Sequence, residues 1–459
     1  MRPTSIVGPL ILVAVGILLL WINLSSDRTV LESLAIHWPW ILVGWGVVRL
    51  LELLLWRSQE KSLPVRGISG GEWFVVVVVC VIGTGAYVSN QILGGFGDLP
   101  FQLSRTELFG EIHEFAIPEQ KVTLRKGDRV LVENLRGNVE ITGTNADEVS
   151  LNGAETVKAV SEDQARSILQ SRKVTLERQD GIVVIRTHQE GVPGEHELRA
   201  NLRIQVPSQV KVETRGRHTN YEIQQVRGGV EIQGDEGDAR LADVAGTVRV
   251  RIARSRNIHL TNVDDLVEIY SNRGDDLSLE NIRGKVSAVG TFNGNIQLRS
   301  IQGPVHIDDR RLDLRAASIP GEVVANRGDL KASRLTGPLR IASESKDVEL
   351  AEFTGPLELV LEKRDAIIRQ TNARLSPMDL QVRRGKVVME LPPTATFRFE
   401  GRARKGEIID DLKTNELKEE SSSQQSVLAG GPAGAPLISV DAERIELLSI
   451  VPRETAKKE

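Results

Sequence analysis

Beyond residue 105 the chain repeats one short pattern, a Gly or acidic turn followed by two apolar positions spaced by two, with Arg, Glu, Gln or Ser between them. The turns recur at Gly228, Gly246, Asp265, Gly284, Gly303, Gly321, Gly337 and Gly355, a spacing of roughly 16 to 19 residues. A second series lies between them at Gly237-Asp238, Arg256-Asn257, Gly274-Asp275, Gly294-Asn295, Gly328-Asp329, Lys346-Asp347 and Arg364-Asp365. The apolar pairs alternate with polar residues, as in Val230/Ile232, Val248/Val250, Ile258/Leu260, Val267/Ile269, Leu277/Leu279 and Leu339/Ile341. Alternation puts each pair on one face of a strand. One such strand cannot enclose a core, but rungs stacked about 4.8 Å apart can. The expected fold is therefore an all-β parallel solenoid, with two short strands per rung of about 18 residues. Glycine at the corners is expected to supply positive φ, with Asp and Asn as the next best tolerated residues.

Before Asn90 the pattern changes. Ser5–Leu24 carries no charged side chain, Ile36–Trp56 carries only Arg49 and Glu52, and Trp73–Ser89 is again uncharged. Each run is long enough for a helix spanning a bilayer, and all six tryptophans lie in this part, suited to membrane interfaces. Three transmembrane helices (about 5–24, 36–56 and 73–89) are expected in a membrane domain of residues 1–90. The lipid bilayer is then a partner, and Arg49 and Glu52, on one helical face, form an intramembrane polar pair. Arg57, Lys61 and Arg66 put the second loop in the cytoplasm. That orientation gives a multi-pass inner-membrane protein with a cytoplasmic N-terminus and an extracytoplasmic solenoid. The remaining divisions are a linker (91–108), the solenoid (109–411), a flexible polar and Gly/Ala-rich loop (412–436), a closing strand (437–450) and a charged tail (451–459).

Two resemblances rest on these residues. GPLILVAVGILLL with HWPWILVGWGVVRLLELLL resembles the membrane hairpin of bacterial Lia-type cell-wall-stress proteins. VENLRGNVEITG, the strand pair LRIQVPSQVKVETRG and the ladder after it resemble a bacterial adhesin-like family of unknown function, over about Phe109 to Ile450. That resemblance implies a repetitive β-solenoid, an envelope location and an adhesin-like role. It brings no catalytic residues.

The net charge of -4 marks no nucleic-acid partner, and the single Cys80 excludes disulfides within the chain. The seven histidines lack metal-site spacing, and no nucleophile elbow, phosphate loop or dinucleotide fingerprint occurs. No cofactor or metal is expected. Asp264-Asp265, Asp275-Asp276 and Asp308-Asp309 are the carboxylate pairs to weigh for polysaccharide chemistry. Adjacent strand residues point to opposite faces, which favours solvated turns. The candidate surface for an anionic ligand is basic: Arg249, Arg251, Arg254 and Arg256, with Arg398, Arg402 and Arg404 near the end of the ladder. The expected function is a membrane-anchored, non-enzymatic binding or scaffold surface for an envelope polymer or protein. The alternatives are a stress regulator acting through the membrane helices and a polysaccharide-active enzyme. A homo-oligomer is left open.

Overall fold

A computed structural model of the protein describes residues 111–190, 198–405, 408–412, 417–421 and 425–450, with five isolated helical positions before residue 81. The chain divides into two units, Met1–Leu108 and Phe109–Glu459. Every described strand belongs to the second unit.

These strands form two ladders. In the first, Val212 lies beside Val230, Val230 beside Val248, Val248 beside Val267, Val267 beside Val286 and Val286 beside Val305, all in parallel register. In the second, Ile223, Leu241, Leu260, Leu279 and Leu298 stand in line the same way. Both ladders turn their aliphatic side chains to one interior, where Val248, Val250, Ile258 and Leu260 are all fully buried. Full burial of each such side chain contributes about 1.5–3 kcal/mol, so each additional rung adds to the same continuous core. Where two strands per rung were expected, Val248–Val263 and Val267–Ile282 each run unbroken through the bend between the ladders.

The corners work differently from expectation. Gly228, Gly246, Gly284 and Gly303 do not supply positive φ. They are needed for close approach, since a Cβ on Gly246 would lie 2.5 Å from the carbonyl oxygen of Gly228, and one on Gly303 would lie 2.3 Å from that of Gly284. Among the named corners Gly355 (83°) and Gly237 (153°) do have positive φ, but it falls mainly on polar residues recurring once per rung: Gln225 (60°), Asp243 (57°), Asn262 (56°), Asn281 (55°) and Ser300 (53°). Short amide and carboxylate side chains tolerate this region, and they bond to one another up the stack. Asn262 Nδ2 donates to Asp243 Oδ1 (2.8 Å), and Asn281 Nδ2 to Asn262 Oδ1 (3.1 Å).

Two departures interrupt the regular winding. After Val305–Asp309 the chain reverses at Arg310-Arg311, so Leu312–Ala316 pairs antiparallel on both sides and Ile319–Ala325 does likewise on the other ladder. One rung thus runs backwards. The second departure concerns the closing strand expected at 437–450. It does not end the stack but forms a rung, Leu437–Ala442 and Arg444–Ser449, inserted between Met378–Leu391 on one side and Arg398–Asp410 on the other. The loop expected at 412–436 holds a hairpin, Leu417–Ser421 with Ser426–Gly430, that extends the first ladder past Arg398–Ala403.

The membrane part requires a correction. Apart from the isolated helical positions Val43, Val47, Val76, Val77 and Cys80, the expected spans fall outside the described residues, as do Arg49 and Glu52. Among the described residues the one helix of definite extent, Glu162–Gln170, has nine residues and rises about 14 Å against a hydrocarbon core of about 30 Å. Among the described residues no helix is long and apolar enough to cross a membrane. The fold class with three transmembrane helices, the bilayer as partner and the multi-pass inner-membrane location are therefore withdrawn. An uncharged run states what a segment can be dissolved in, and that is less than showing that it spans.

The inserted rung yields a prediction. Leu447 is fully buried within it, so Leu447→Ala should destabilise the stack by about 2–5 kcal/mol, as expected for an interior leucine. Urea unfolding followed by circular dichroism measures this; a loss near that of a surface substitution would mean that the last rung is peripheral.

Candidate functional site: a cleft where the charge ladder breaks

Because the register is kept from rung to rung, outward side chains also stand in columns, and opposite charges meet across strands. All four arginines of the first basic cluster lie on the single strand Val248–Val263, each beside a carboxylate. Arg249 Nε meets Glu268 at 2.7 Å, Arg251 meets Glu231 at 3.0 Å, Arg254 meets Glu236 at 2.8 Å and Arg256 meets Asp238 at 3.2 Å. Arg249 is held above its usual pKa by the hydrogen bond to Glu268. In the second cluster Arg398 pairs with Glu400 (2.8 Å), while Arg402 donates twice to the amide oxygen of Gln425. Arg404 Nε stands 2.8 Å from Asp441 Oδ1 without hydrogen-bond geometry, and its Nη2 donates to the carbonyls of Val382 and Arg383. The structure does not bring the two clusters together, since one lies in the middle of the stack and the other in its last rungs. Exposed pairs of this kind stabilise little individually, but they leave the basic side chains already engaged.

At least one member of each carboxylate pair is engaged as well. Asp264 meets Arg283 at 2.9 Å and Asp265 accepts from Thr247 at 2.9 Å. Asp276 caps the N–H of Asn295, and the buried Asp309 accepts from the N–H groups of Phe292 and Arg311. These are corner contacts between successive rungs. Among the described residues no group of three or more His, Cys, Asp or Glu side chains is arranged to hold a metal ion.

A cleft of about 580 Å³ opens elsewhere, over the first rungs. Its walls come from Glu133, Arg186 and Arg215, from Arg217 and Asp235, and from the segment 187–190 with Ser171 and Arg172 at the end of the helix. Sequence reading did not find it. Glu133, Arg186 and Arg215 are remote in the chain and become neighbours because Glu133 pairs with Arg186 on one side and Arg215 on the other. Beneath the cleft lies a buried polar network. Thr187 Oγ1 donates to Asn134 Oδ1 (3.3 Å), Gln189 Nε2 to the carbonyl of Arg136 (2.9 Å), Asn134 Nδ2 to that of Ala200 (3.1 Å), and Thr219 Oγ1 to that of Asn134 (2.6 Å). Between the two anchored residues Thr187 and Gln189, His188 is held at φ 46°, and its Nε2 lies 3.2 Å from Thr175 Oγ1. Gly216 floors the cleft, and a Cβ there would come within 2.3 Å of the Tyr221 hydroxyl. Burial pushes that hydroxyl up to about 12.

Other perturbed groups lie outside the cleft. Arg178 Nε and Nη2 donate to the two carboxylate oxygens of Asp128 at 2.7 and 3.0 Å, which holds Asp128 down to about 2. Lys346 is buried, with burial lowering its pKa, and it donates to the carbonyl of Asn326 where the reversed rung ends. Glu155, on the strand Glu148–Ala159, is buried with no hydrogen bond to Oε1, and burial raises it to about 7.

No family description and no curated protein matches the chain. Two solved structures align along most of it. One is a candidate cell adhesion protein from Clostridium sporogenes, at 7% identity, covering 72% of this chain and 99% of the other, with a TM-score of 0.17. The second is a candidate adhesin from Bacteroides fragilis, at 8% identity, covering 74% and 97%, with a TM-score of 0.25. At such scores these likenesses carry no argument about fold or function.

Glu155 gives a pH prediction with a definite sign. Its folded pKa lies above the ordinary carboxylate value of 4.5, so the neutral form is favoured in the fold. The associated stability is fully present below pH 4.5 and is lost as pH rises to about 7, on the order of 3 kcal/mol at full ionisation. Glu155→Gln should therefore raise stability at pH 8 and flatten the pH profile of urea unfolding between those values. An unchanged profile would show that Glu155 ionises freely in the fold.

Proposed function

We propose that the stacked-strand body is a non-enzymatic, adhesin-like scaffold, a rigid ladder that offers a binding surface to a polymer or protein partner. The observation that supports this most directly is the engagement of its chemistry-bearing side chains with one another. The carboxylates of Asp264, Asp265, Asp276 and Asp309 bond to neighbouring rungs, and a catalytic acid/base pair needs two carboxyl groups flanking one substrate bond. A continuous core running through the whole stack holds the outward columns at fixed spacing, and preorganisation of that kind favours binding without ordering costs. The ion-paired ladders make the outer faces polar and largely self-neutralised. Selectivity then belongs to places where the ladder departs from its rule.

The test separates binding from turnover. The full chain is incubated with immobilised and free envelope polysaccharides and the recovered glycan is measured by mass spectrometry. Retention of glycan at its original length supports the scaffold reading. Shortened products that vanish in Asp264→Asn, Asp276→Asn or Asp308→Asn would overturn it in favour of a polysaccharide-active enzyme.

A further inference from the structure

Along the stack many outward arginines meet a carboxylate on an adjacent strand at hydrogen-bonding distance. The contacts of Arg249, Arg251 and Arg254 are repeated by Arg299 with Glu322 (2.7 Å), Arg340 with Glu358 (2.6 Å) and Arg369 with Glu390 (2.5 Å). Arg215 is an exception, as are Arg203, 3.5 Å from Glu140, and Arg364, 3.7 Å from Asp347, and of these three it is Arg215 that lines the cleft. Its neighbour on one side is Glu133, already held by Arg186 at 2.6 Å, so Arg215 approaches it only to 3.9 Å. The neighbour on the other side is Gln233, which carries no charge. One carboxylate thus faces two guanidiniums, and the excess positive charge lies in the wall of the cleft, on a side chain that is 56% exposed.

The surroundings narrow the ligand. A site for a bare inorganic anion would be lined by donors. Here the walls also hold the acceptors Glu133, Glu190 and Asp235 beside the donors Arg186 and Arg215, a mixture that suits a ligand bearing hydroxyl groups as well as a negative charge. Among the described residues that line the cleft, Leu135 is the one large apolar side chain that a peptide side chain would meet. The column also continues: Arg215, Gln233 and Arg251 stand on successive strands in register, about 4.8 Å apart, so a chain-like ligand could extend along the stack. The bonds from Thr187 and Gln189 beneath, and the strained His188 between them, fix the wall before any ligand arrives.

We propose that this cleft seats a carboxylate-bearing sugar unit of an acidic glycan, with Arg215 as the cation that receives the carboxylate. The assignment rests on the scaffold reading and names its ligand class. Arg215 offers paired N–H donors matched to a carboxylate, and Glu133 and Asp235 accept from ring hydroxyls.

The experiment uses the full chain and a galacturonate hexasaccharide, with its methyl ester and a neutral galactose oligomer as controls, in calorimetric titrations at two salt concentrations. The wild-type chain should bind the acidic probe, more weakly at higher salt, and at least tenfold more tightly than either control. Arg215→Gln should lose at least tenfold in affinity with an unchanged thermal midpoint. Arg215→Lys, which keeps the charge but not the paired donors, should fall between. Arg340→Gln, remote from the cleft, should bind as wild type does. Equal binding by Arg215→Gln, equal binding of the neutral oligomer, or no binding of the acidic probe by the wild-type chain would overturn the proposal. Tighter binding of an oligoglutamate peptide through Arg215 would also overturn it and assign the cleft to acidic peptides. Failure here is distinct from failure of the scaffold reading: retention of envelope glycan that survives Arg215→Gln sinks the cleft alone, whereas cleavage of the bound glycan sinks the scaffold.

Discussion

Everything in the stack depends on keeping strand register across a chain separation of about one rung. Each strand contributes two or three inward aliphatic residues, and a slip of one residue would turn all of them to solvent. The interior enforces alignment at Val230, Val248, Val267 and Val286, and that alignment carries the outward side chains with it. Residues far apart in sequence therefore stand in columns, and surface electrostatics follows from core packing. The ladder of ion pairs results from this constraint, and the exposed pairs contribute little to it in return.

The same constraint explains what could be read in the chain and what could not. The inward positions were legible because alternation is a local property: Val230 and Ile232, Ile258 and Leu260, and Leu339 and Ile341 are buried where the pattern places them. Direction was not legible, because an alternating strand presents the same face either way. Leu312 and Leu314 bury themselves running backwards as well as Val305 and Ile307 do running forwards, and the only local sign is the turn at Arg310-Arg311. Order was not legible either. Ile438 fits beside Met378 and beside Phe399, so hydrophobic pattern alone cannot say that the last rung lies inside the stack. At the N-terminus the uncharged runs support a statement about solvent and no statement about architecture.

For the surface, reading along the chain counted charges in the wrong direction. Arg249 to Arg256 look like a basic patch because their carboxylate partners Glu231, Glu236, Asp238 and Glu268 belong to adjacent rungs. The cleft was hidden for the complementary reason. Glu133 and Arg186 lie 53 residues apart, and no segment of sequence contains the shortage of negative charge beside Arg215. Only the register exposes it.

The interior under the cleft concentrates buried polar side chains at one corner. Elsewhere many rungs turn on half-buried or exposed Asp and Asn side chains that cap backbone N–H groups, as Asp238 does for Arg256 and Asn257, with the buried Asp309 doing so for Phe292 and Arg311. Here Asn134, Thr187, Gln189 and Thr219 are buried, and a buried polar group that loses its partner costs about 1–3 kcal/mol. Thr214 Oγ1 and the Tyr221 hydroxyl are buried without a hydrogen bond of good geometry, so the network is tolerated at some cost. A corner that needed only to turn the chain could do so with half-buried or exposed Asp or Asn, as many others do. What the buried network adds is a fixed position for Thr187 and Gln189, and through them a fixed wall facing Arg215. Rigidity there has a use when something must be met at a defined distance from the guanidinium.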